Sequence, residues 1–335
     1  MNKLQKLKKQ LSSYYKKEII FNLSPASGYR SRCEFGYKNG SYTMVKDGKK
    51  VLLDHFDLPV SAIQNIMKPL LEAINTNPLI NKKLFQINFR AVNQIVLVTL
   101  IYHKQLDQNW LESARIIETK LDINVLGRSK NQLLATHLTE LEQYIDINPS
   151  YYLYQNDKTF YQPNAFLMPK MVKLVISLIE NPRDLLELYC GSGTFTIPLS
   201  YFFKNVFATE NNRESISYLK KSIHKNHIKN IFYARLSDIE LMDAYKGRIF
   251  RRLENIDLKN FNFSHVLVDP PRSGLSNNIT EILNKFDNII YISCNPDTFQ
   301  RDLDNLKDYK IEKLEVFDQF SNTPHIELIA LLIKH

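Results

Sequence analysis

Hydrophobic and polar positions follow two different patterns along the chain. In the first half, residues 29–37 and 41–53 alternate in the manner of half-buried strands, and residues 94–102 form a further β-rich run. Residues 61–74 and 108–121 instead carry apolar side chains at helical spacing. The first half is therefore predicted to be a mixed α+β unit with a small antiparallel meander.

From residue 168 onward, short apolar runs alternate with amphipathic segments. Seven of these runs are predicted to be strands, namely residues 184–190, 206–210, 231–236, 265–269, 289–294, 311–317 and 327–333. Regular alternation of this kind is typical of a parallel, doubly wound α/β sheet. The last two runs have no helix between them, so the final strand should be antiparallel to its neighbour.

A boundary between the two patterns is expected within residues 145–161, where periodicity lapses around Asn148 and Pro149. A chain of 335 residues is long enough to bury two separate cores. We therefore expect an N-terminal α+β domain in residues 1–150 and an α/β domain in residues 151–335.

Positive charge is concentrated in the first of these domains. Residues 1–150 contain 21 Lys and Arg against 13 Asp and Glu, a net charge of +8, whereas residues 151–335 have a net charge of +1. Such a division is typical of a polyanion-binding domain joined to a catalytic one, although a solvated lysine-rich surface gives the same count.

The distribution of cysteine and histidine argues against a metal site. Cys33, Cys190 and Cys294 lie far apart without a CxxC pair, and the eight histidines form no HxH or HxxxH group. Neither a disulfide framework nor a zinc or iron-sulfur site is expected. The basic N-terminus lacks the apolar core of a signal peptide, and no stretch has about 18 uninterrupted apolar residues, so a cytoplasmic protein outside the membrane is expected.

A glycine turn after the first predicted strand of the second domain suggests a nucleoside site. Gly191 and Gly193 follow the run 184–190, and Glu210 ends the next strand 19 positions after Gly191, where its carboxylate can accept hydrogen bonds from ribose hydroxyls. Thr196 occupies the position of the third glycine of a dinucleotide fingerprint, which favours adenosylmethionine over NAD. The alternative is that both glycines merely close a strand–helix turn.

Two later strands also end in polar or reactive side chains. Asp269 precedes Pro270-Pro271-Arg272, and Cys294 lies in Ile292-Ser293-Cys294-Asn295-Pro296. The carboxyl ends of parallel strands face one crevice, so both side chains are expected beside the ligand. A cysteine after an apolar run is nevertheless more often inert packing than a nucleophile.

These stretches, together with Phe317-Asp318-Gln319-Phe320 and His325-Ile326-Glu327, resemble the RNA uracil-5-methyltransferases, most closely the tRNA (uracil-5-)-methyltransferases of the TrmA type. Similar stretches occur at residues 29–35, 102–107 and 160–164, so the resemblance covers nearly the whole chain. It implies a Rossmann-like methyltransferase sheet of seven strands, preceded by an RNA-binding domain. It also implies S-adenosyl-L-methionine as cofactor and the T-loop uridine of tRNA as substrate.

The resemblance also assigns roles to individual residues. Cys294 would add to carbon 6 of uracil, which makes carbon 5 nucleophilic enough to take a methyl group, and Glu327 would then remove the proton from carbon 5. Adenosylmethionine would be held by Gln162, Tyr189, Gly191, Thr194, Glu210 and Asp269. Thr194 departs from the asparagine that is usual in the tRNA branch, although its hydroxyl can still donate or accept a hydrogen bond.

A target base that is stacked in folded RNA must be extruded before a thiol can reach it, so an RNA-gripping surface is expected. The candidate phosphate contacts are Lys3, Lys6, Lys8, Lys9, Lys16 and Lys17, with Tyr14 and Tyr15 as stacking groups and Arg30, Arg32 and Arg90 as further candidates. The same lysines could instead belong to a frayed, solvated helix.

Other functions stay open at this point. A ribosomal-RNA uracil-5-methyltransferase is the nearest alternative, although three cysteines are too few for the four-cysteine cluster that many of those enzymes carry. A cytosine-5-methyltransferase is disfavoured by Ser293 before Cys294, and an amino-methyltransferase by Arg272 after the two prolines. A non-catalytic RNA-binding protein and a nucleotide-linked dehydrogenase are the alternatives from other classes.

Overall fold

The computed structural model describes residues 3–46, 48–53, 55–321 and 323–335. Its first elements are helix α1 (Lys3–Leu11) and strand β1 (Ile20–Leu23), and two sheets follow. The first sheet contains β2 (Arg32–Lys38), β3 (Ser41–Lys46), β4 (Lys49–Leu52), β5 (Leu84–Val92), β6 (Ile95–Tyr102), β7 (Asn124–Ser129) and β8 (Gln132–Ala135). Their order is β4-β3-β2-β5-β6-β7-β8. The alternation predicted over residues 41–53 thus forms two strands, and Asp47 between them lies outside the described residues.

Three helices pack against this sheet: α2 (Ser61–Asn75), α3 (Pro78–Asn81) and α4 (Gln108–Leu121). Helix α4 begins after Asp107, whose carboxylate accepts a hydrogen bond from the Trp110 amide at 2.9 Å. The Trp110 ring is buried over Gly127, where a Cβ would lie only 2.4 Å from the indole. Because α4 carries the chain back across the sheet, β6 and β7 are parallel, while the other neighbouring strands are antiparallel.

A two-stranded ribbon lies where the sequence predicts a lapse of periodicity. Strands β9 (Leu141–Ile145) and β10 (Tyr151–Gln155) are antiparallel and flank a cis peptide bond at Asn148-Pro149. Five residues per strand are too few to show a clear period in the sequence. The ribbon is fastened to the second half of the chain, because the Tyr152 amide donates to Asn226 and the Tyr154 amide to Ser222.

The second sheet contains the strands of the C-terminal half, which correspond to the seven predicted runs. These are β11 (Asp184–Leu188), β12 (Asn205–Glu210), β13 (Ile231–Arg235), β14 (Phe263–Val268), β15 (Asn288–Ser293), β16 (Tyr309–Asp318) and β17 (Glu327–Lys334). The order is β1-β16-β17-β15-β14-β11-β12-β13. Strand β17 is antiparallel to both β15 and β16, and β11 to β15 pair in parallel.

Helices cover both faces of the second sheet. They are α5 (Met168–Ser177), α6 (Thr196–Leu199), α7 (Arg213–Lys225), α8 (Asp238–Tyr245), α9 (Asn277–Leu283) and α10 (Pro296–Asn305), with 3-10 turns at Arg251–Leu253 and Leu258–Asn260. Successive strand residues such as Leu185 and Leu186 enter different apolar cores, so the strands are apolar on both sides. Within the described residues, no helix is both long and apolar enough to cross a bilayer.

Residues 3–23 pack differently from the prediction that assigns residues 1–150 to one domain. Strand β1 pairs in parallel with β16, with Ile20 opposite Glu315, and so adds an eighth strand to the second sheet. Helix α1 buries Leu7 and Leu11 in the core of that same sheet. The sequence does not predict this arrangement, because the buried leucines of α1 are interspersed among lysines and β1 is only four residues long.

Candidate active site and cofactor cleft

A cavity of about 650 Å³ opens at the carboxyl ends of the parallel strands of the second sheet. Seven of the eight predicted site residues line it: Gln162, Tyr189, Gly191, Glu210, Asp269, Cys294 and Glu327. The eighth, Thr194, is half-buried in the turn before α6 and is not among the lining residues. The cavity is also lined by Lys158, Phe160, Arg272 and Phe320, to which the sequence analysis assigns no role in the site.

The geometry of the turn after β11 shows why glycine occupies two of its positions. At Gly191 φ is +55°, and an added Cβ would meet no atom within 4 Å, so the missing side chain leaves open space beside the cavity. At Gly193 φ is +98°, and an added Cβ would lie 2.6 Å from the Leu219 side chain, so this glycine permits close packing of the turn on α7. Tyr189 also has a positive φ, of 60°, which turns the chain sharply at the strand end.

Glu210 at the end of β12 is held by two backbone amides. Its carboxylate accepts hydrogen bonds from Gly191 at 3.1 Å and from Asn212 at 2.7 Å. The same residue lines a second cavity of about 570 Å³, whose other walls include the apolar side chains of Leu188, Ile239 and Ile279. A carboxylate beside an apolar slot matches a nucleoside, which has ribose hydroxyls next to a flat base.

Tyr189 connects the two cavities, since it lines both. Its hydroxyl donates to Asp238 at 2.8 Å, and the Ser276 hydroxyl donates to the same carboxylate oxygen at 2.8 Å. These hydrogen bonds hold the side chains of Tyr189 and Ser276 in place in the wall of the slot. The slot adjoins the main cavity, which is lined by Gly191, Gln162 and Asp269. The apolar slot fits the adenine of adenosylmethionine, the Glu210 carboxylate fits its ribose hydroxyls, and the polar far end of the cleft fits its amino-acid group.

The register of two strands brings Cys294 and Glu327 together. Ser293 of β15 pairs with Leu328 of β17 in an antiparallel ladder, so the next residue on each side, Cys294 and Glu327, lies opposite the other. Directly opposite side chains in such ladders have Cβ atoms about 4.5–5.5 Å apart. Cys294 is half-buried, and it also lines a neighbouring cavity of about 320 Å³ beneath α1.

Cys294 has a raised pKa. Burial is the largest cause, and the negative charges of Glu327 and Asp269 act in the same direction, while Arg272 opposes them. The other two cysteines are buried, and neither lines the 650 Å³ cavity. Burial raises the pKa of Cys33 to about 12 and that of Cys190 well above its ordinary value. Of the three thiols, only Cys294 lies in the cleft.

Two carboxyl groups in the cleft, those of Glu327 and Asp269, have raised pKa values. Glu327, which in sequence could be a solvated strand end, is only 7% exposed, and burial raises its pKa to about 7 against the opposing effect of a hydrogen bond with Gln319. Burial, together with Glu327 and Glu187, raises the pKa of Asp269 well above its usual value. A carboxyl with a pKa near 7 is suited to proton transfer at neutral pH.

Gln319 is a contact that sequence reasoning missed. Its side-chain amide lies 3.3 Å from the Gln162 oxygen and 2.8 Å from the Met171 sulfur, and the side chain is buried. It therefore connects the predicted cofactor residue Gln162 to the neighbourhood of Glu327. The signal was present, because Gln319 lies within the Phe317–Phe320 stretch that carried the resemblance.

Several predicted RNA contacts are occupied within the protein. Arg90 is 2% exposed and donates to Gln155 and to the Thr159 carbonyl, so it cannot reach a phosphate. Tyr15 is buried, and Tyr14 donates to Asp304 at 2.6 Å. Lys3 is bound to Asp318 and to neighbouring carbonyls. The predictions for Arg90 and Tyr15 are wrong, because local alternation does not reveal which side chains face the interior, whereas Tyr14 and Lys3 have partners within the protein.

The remaining candidates lie on the surface. Lys6, Lys8, Lys9 and Lys16 are exposed, whereas Lys17 is paired with Glu312 and Arg32 with Glu34. The Arg30 guanidinium lies 5.3 Å from the centre of the Phe320 ring, at the edge of the main cavity. In the part of the chain that is described, no group of three or more His, Cys, Asp or Glu residues could hold a metal ion.

Comparison with known proteins agrees with this geometry. The family model described as tRNA (Uracil-5-)-methyltransferase matches residues 1–335. A tRNA/tmRNA (uracil-C(5))-methyltransferase of Campylobacter concisus is 42% identical over 97% of this chain and 91% of its own length. Its counterpart from Saccharophagus degradans is 40% identical over 98% of this chain and 93% of its own.

Among solved structures, the Pyrococcus abyssi tRNA (uracil-54, C5)-methyltransferase in complex with S-adenosyl-L-homocysteine has the same fold. The TM-score is 0.78 at 23% identity, over 99% of this chain and 83% of that one. The predicted Rossmann-like methyltransferase architecture is thereby confirmed, and so is the resemblance seen in the sequence. The chain belongs to the tRNA (uracil-5-)-methyltransferase family.

Proposed function

We propose that this protein methylates carbon 5 of a uridine in tRNA, with S-adenosyl-L-methionine as methyl donor and Cys294 as covalent catalyst. The observation that carries the proposal is the pairing of Ser293 with Leu328, which sets Cys294 opposite Glu327 in a cavity that also contains Glu210 and Asp269. A thiol and a basic carboxylate on the same side of a nucleoside cleft are the two groups that this reaction needs.

Uracil must first be activated, because its carbon 5 is a poor nucleophile. The Cys294 thiolate adds to carbon 6, and the electron pair of the 5,6 double bond moves into an enolate that makes carbon 5 nucleophilic. The cofactor, when bound, supplies a methyl group on a positively charged sulfur. After carbon 5 has formed its new bond to that methyl group, Glu327 takes the carbon 5 proton, the double bond re-forms, and the Cys294 sulfur leaves carbon 6 with the bonding pair.

The remaining cleft residues would hold the cofactor. Glu210 is the candidate acceptor for ribose hydroxyls, and the slot beside Tyr189 is the candidate site for the adenine ring. Gln162 and Asp269 lie at the polar end of the cleft, where side-chain oxygens can accept hydrogen bonds from an ammonium group. Thr194 does not line the cleft, so we assign it no contact.

The names of the related proteins support tRNA as the substrate, since the Campylobacter and Saccharophagus relatives are both named for tRNA and tmRNA. Exposed Phe160 and the basic side chains of Lys158 and Arg272 lie on the cavity wall, where they suit an extruded nucleotide and its phosphates. With three free cysteines the protein is suited to a reducing compartment, and we propose that it acts in the cytoplasm, where tRNA is found.

The decisive experiment compares two active-site variants with a matched control. Cys294→Ala should abolish methyl transfer to tRNA that lacks 5-methyluridine. Glu327→Gln should instead accumulate a protein–RNA adduct that survives denaturing electrophoresis, because the methylated base can no longer be released. Cys33→Ser, which alters a buried thiol outside the cavity, should retain turnover.

Two outcomes would overturn the proposal: normal turnover by Cys294→Ala, or turnover by Glu327→Gln at the wild-type rate without an adduct. Mass mapping of RNA from cells that lack the protein tests the substrate. A methyl group lost from tRNA supports the proposal, whereas one lost only from ribosomal RNA favours the nearest alternative. Binding of NAD but not of adenosylmethionine would favour a dehydrogenase.

A further inference from the structure

Lys3 at the start of α1 is bound within the protein through its whole ammonium group. Its Nζ lies 2.6 Å from an Asp318 carboxylate oxygen, 2.9 Å from the Phe320 carbonyl, 2.8 Å from the Thr323 carbonyl and 3.3 Å from the Ser321 carbonyl. An ammonium group has three N–H donors, so these acceptors are enough to use all of them. The Lys3 side chain is about one-fifth exposed.

The segment that Lys3 holds leads directly to Glu327. It connects β16, which ends at Asp318, to β17, which begins at Glu327, and it is described at residues 319–321 and 323–326. Gln319 of this segment contacts Gln162, and Phe320 lines the main cavity. Three carbonyls of this short connection, and the Asp318 carboxylate just before it, are bound to one ammonium group. The connection therefore has little freedom to shift, and the start of β17 is fixed with it.

The other end of α1 is attached to the element that follows Cys294. The Gln10 amide donates to the Asp297 carboxylate at 2.9 Å and to the Gln300 oxygen at 3.2 Å, both on α10. Helix α10 begins at Pro296, two residues after Cys294. Between these two attachments, Leu7 is buried and lines the 320 Å³ cavity together with Cys294.

We propose that α1 is a brace across the active site and that Lys3 is a positioning residue for Glu327. This inference rests on the proposed function, because Glu327 matters only if it removes a proton. Lys3 holds the segment that carries the base, while Gln10 holds the helix next to the nucleophile. The brace keeps the carboxylate opposite the carbon 5 proton after the methyl group has been transferred. Lys3 is thus not a phosphate contact.

The test compares Lys3→Met with Lys229→Met, because Lys229 is exposed, lines none of the cavities described above, and its loss changes the net charge equally. In Lys3→Met, kcat should fall about 10- to 100-fold, as expected when a catalytic group is displaced by about 1 Å, and KM for tRNA should not rise. The fraction of enzyme trapped as adduct in a rapid-quench experiment should rise, because release becomes slow. Lys229→Met should leave kcat and the adduct fraction unchanged.

A double-mutant comparison shows whether Lys3 acts through Glu327. If it does, adding Lys3→Met to Glu327→Gln should cause no further loss in the rate of adduct release, since the base is already absent. A further loss of the same size as in the wild-type background would overturn the proposal. So would a rise in KM and a weaker salt dependence of tRNA binding at unchanged kcat, because these changes indicate a phosphate contact.

Asp318→Asn provides a second variant in case Lys3→Met fails to fold. It removes the charge of the acceptor but keeps a side-chain oxygen, so a smaller loss of kcat in the same direction is expected, and an unchanged kcat would contradict the brace. Failure of the proposed function is distinguishable. It would appear as the absence of any adduct in Glu327→Gln with an intact Lys3, whereas failure of the brace leaves that adduct in place.

Discussion

The Gly191 amide donates a hydrogen bond of 3.1 Å to the Glu210 carboxylate, which joins the glycine turn after β11 to the end of β12. The Asn212 amide donates to the other carboxylate oxygen. Glu210 is thus fixed by backbone groups before any ligand arrives. Its remaining acceptor capacity faces the two cavities that it lines, and a carboxylate that is already oriented loses little freedom when it binds ribose hydroxyls.

Replacing this carboxylate should weaken cofactor binding. Hydrogen bonds to a charged group contribute about 1.5–3 kcal/mol, so Glu210→Ala should raise the Kd for adenosylmethionine roughly 10- to 150-fold. Isothermal titration calorimetry measures this change without RNA. Glu254→Ala, which removes an exposed carboxylate elsewhere, should bind normally. An unchanged Kd for Glu210→Ala would show that the cofactor lies elsewhere.

The release of methylated RNA should depend on pH through Glu327. Burial raises the pKa of this carboxyl to about 7, and only its deprotonated form can accept a proton. The rate of adduct release should therefore rise as the pH rises through about 7 and level off above it. Rapid-quench measurements between about pH 6 and 9 test this dependence. Glu327→Gln is the control, and its release rate should not rise with pH through about 7. A release rate that falls over the same range would contradict the assignment of the base.

The Glu327 carboxylate should slow adduct formation, which is the opposite of its effect on adduct release. The Glu327 charge helps to raise the pKa of Cys294, so Glu327→Gln should lower that pKa and increase the thiolate fraction at neutral pH. The variant should thus form its adduct faster than the wild-type protein at pH 7, although it cannot release it. Stopped-flow or rapid-quench kinetics measure this first step separately. Slower adduct formation in Glu327→Gln would argue that the carboxylate instead assists thiol deprotonation.

Glu187 should make the protein less stable as the pH rises. This β11 residue is 1% exposed, its Oε2 has no hydrogen-bond partner among the described residues, and burial raises its pKa to about 8. The folded state then holds one proton more than the unfolded state between about pH 4.3 and 8, so stability falls by about 1.4 kcal/mol per pH unit in that window. Glu187→Gln should flatten this dependence and unfold at a higher temperature than the wild type at pH 8.

Thermal unfolding at pH 5.5 and pH 8 provides the measurement for Glu187. The exposed Glu281 gives a matched control, since Glu281→Gln removes a carboxyl from the surface and should leave the pH dependence as it is. Parallel profiles for Glu187→Gln and the wild type would mean that Glu187 is ionised in the folded protein.

Arg90 should act on stability and not on RNA binding. Its guanidinium donates to Gln155 at 2.6 Å and to the Thr159 carbonyl at 3.0 Å, and so fastens β5 to the end of β10 and to the segment after it. Arg90→Ala leaves these acceptors buried without a partner, which should cost about 2–4 kcal/mol. Chemical denaturation measures the loss. Arg32→Ala, which breaks only a partly exposed pair with Glu34, should change stability little. A selective loss of tRNA affinity in a stable Arg90→Ala protein would contradict this role.

The sequence predicts the second sheet better than any other part of the fold. Strands such as β14 and β15 are buried on both faces, so they appear as continuous apolar runs, and polar groups appear where each run ends, at Asp269 and Cys294. The position of β1 could not be predicted. Its four residues carry no period, and their partner β16 is about 295 residues away along the chain.

The site residues likewise divide into those that the sequence predicts and those that it does not. Residues within recognisable stretches, such as Gln162 and Glu210, line the cleft as expected. Burial of Arg90 and Tyr15 was not predictable, because their partners are distant in sequence and local alternation does not identify the inner face. The contacts of Lys3 depend on backbone carbonyls, which leave no trace in the identity of residues 320–323.

The parallel alignment of Ile20 with Glu315 has a consequence for how the protein is made. Residues 3–23 are synthesised long before residues 309–318, which complete the surface on which they dock. At about 5–20 residues per second, this delay lasts roughly 15–60 s, during which the leucines of α1 have no native partner and are open to chaperones.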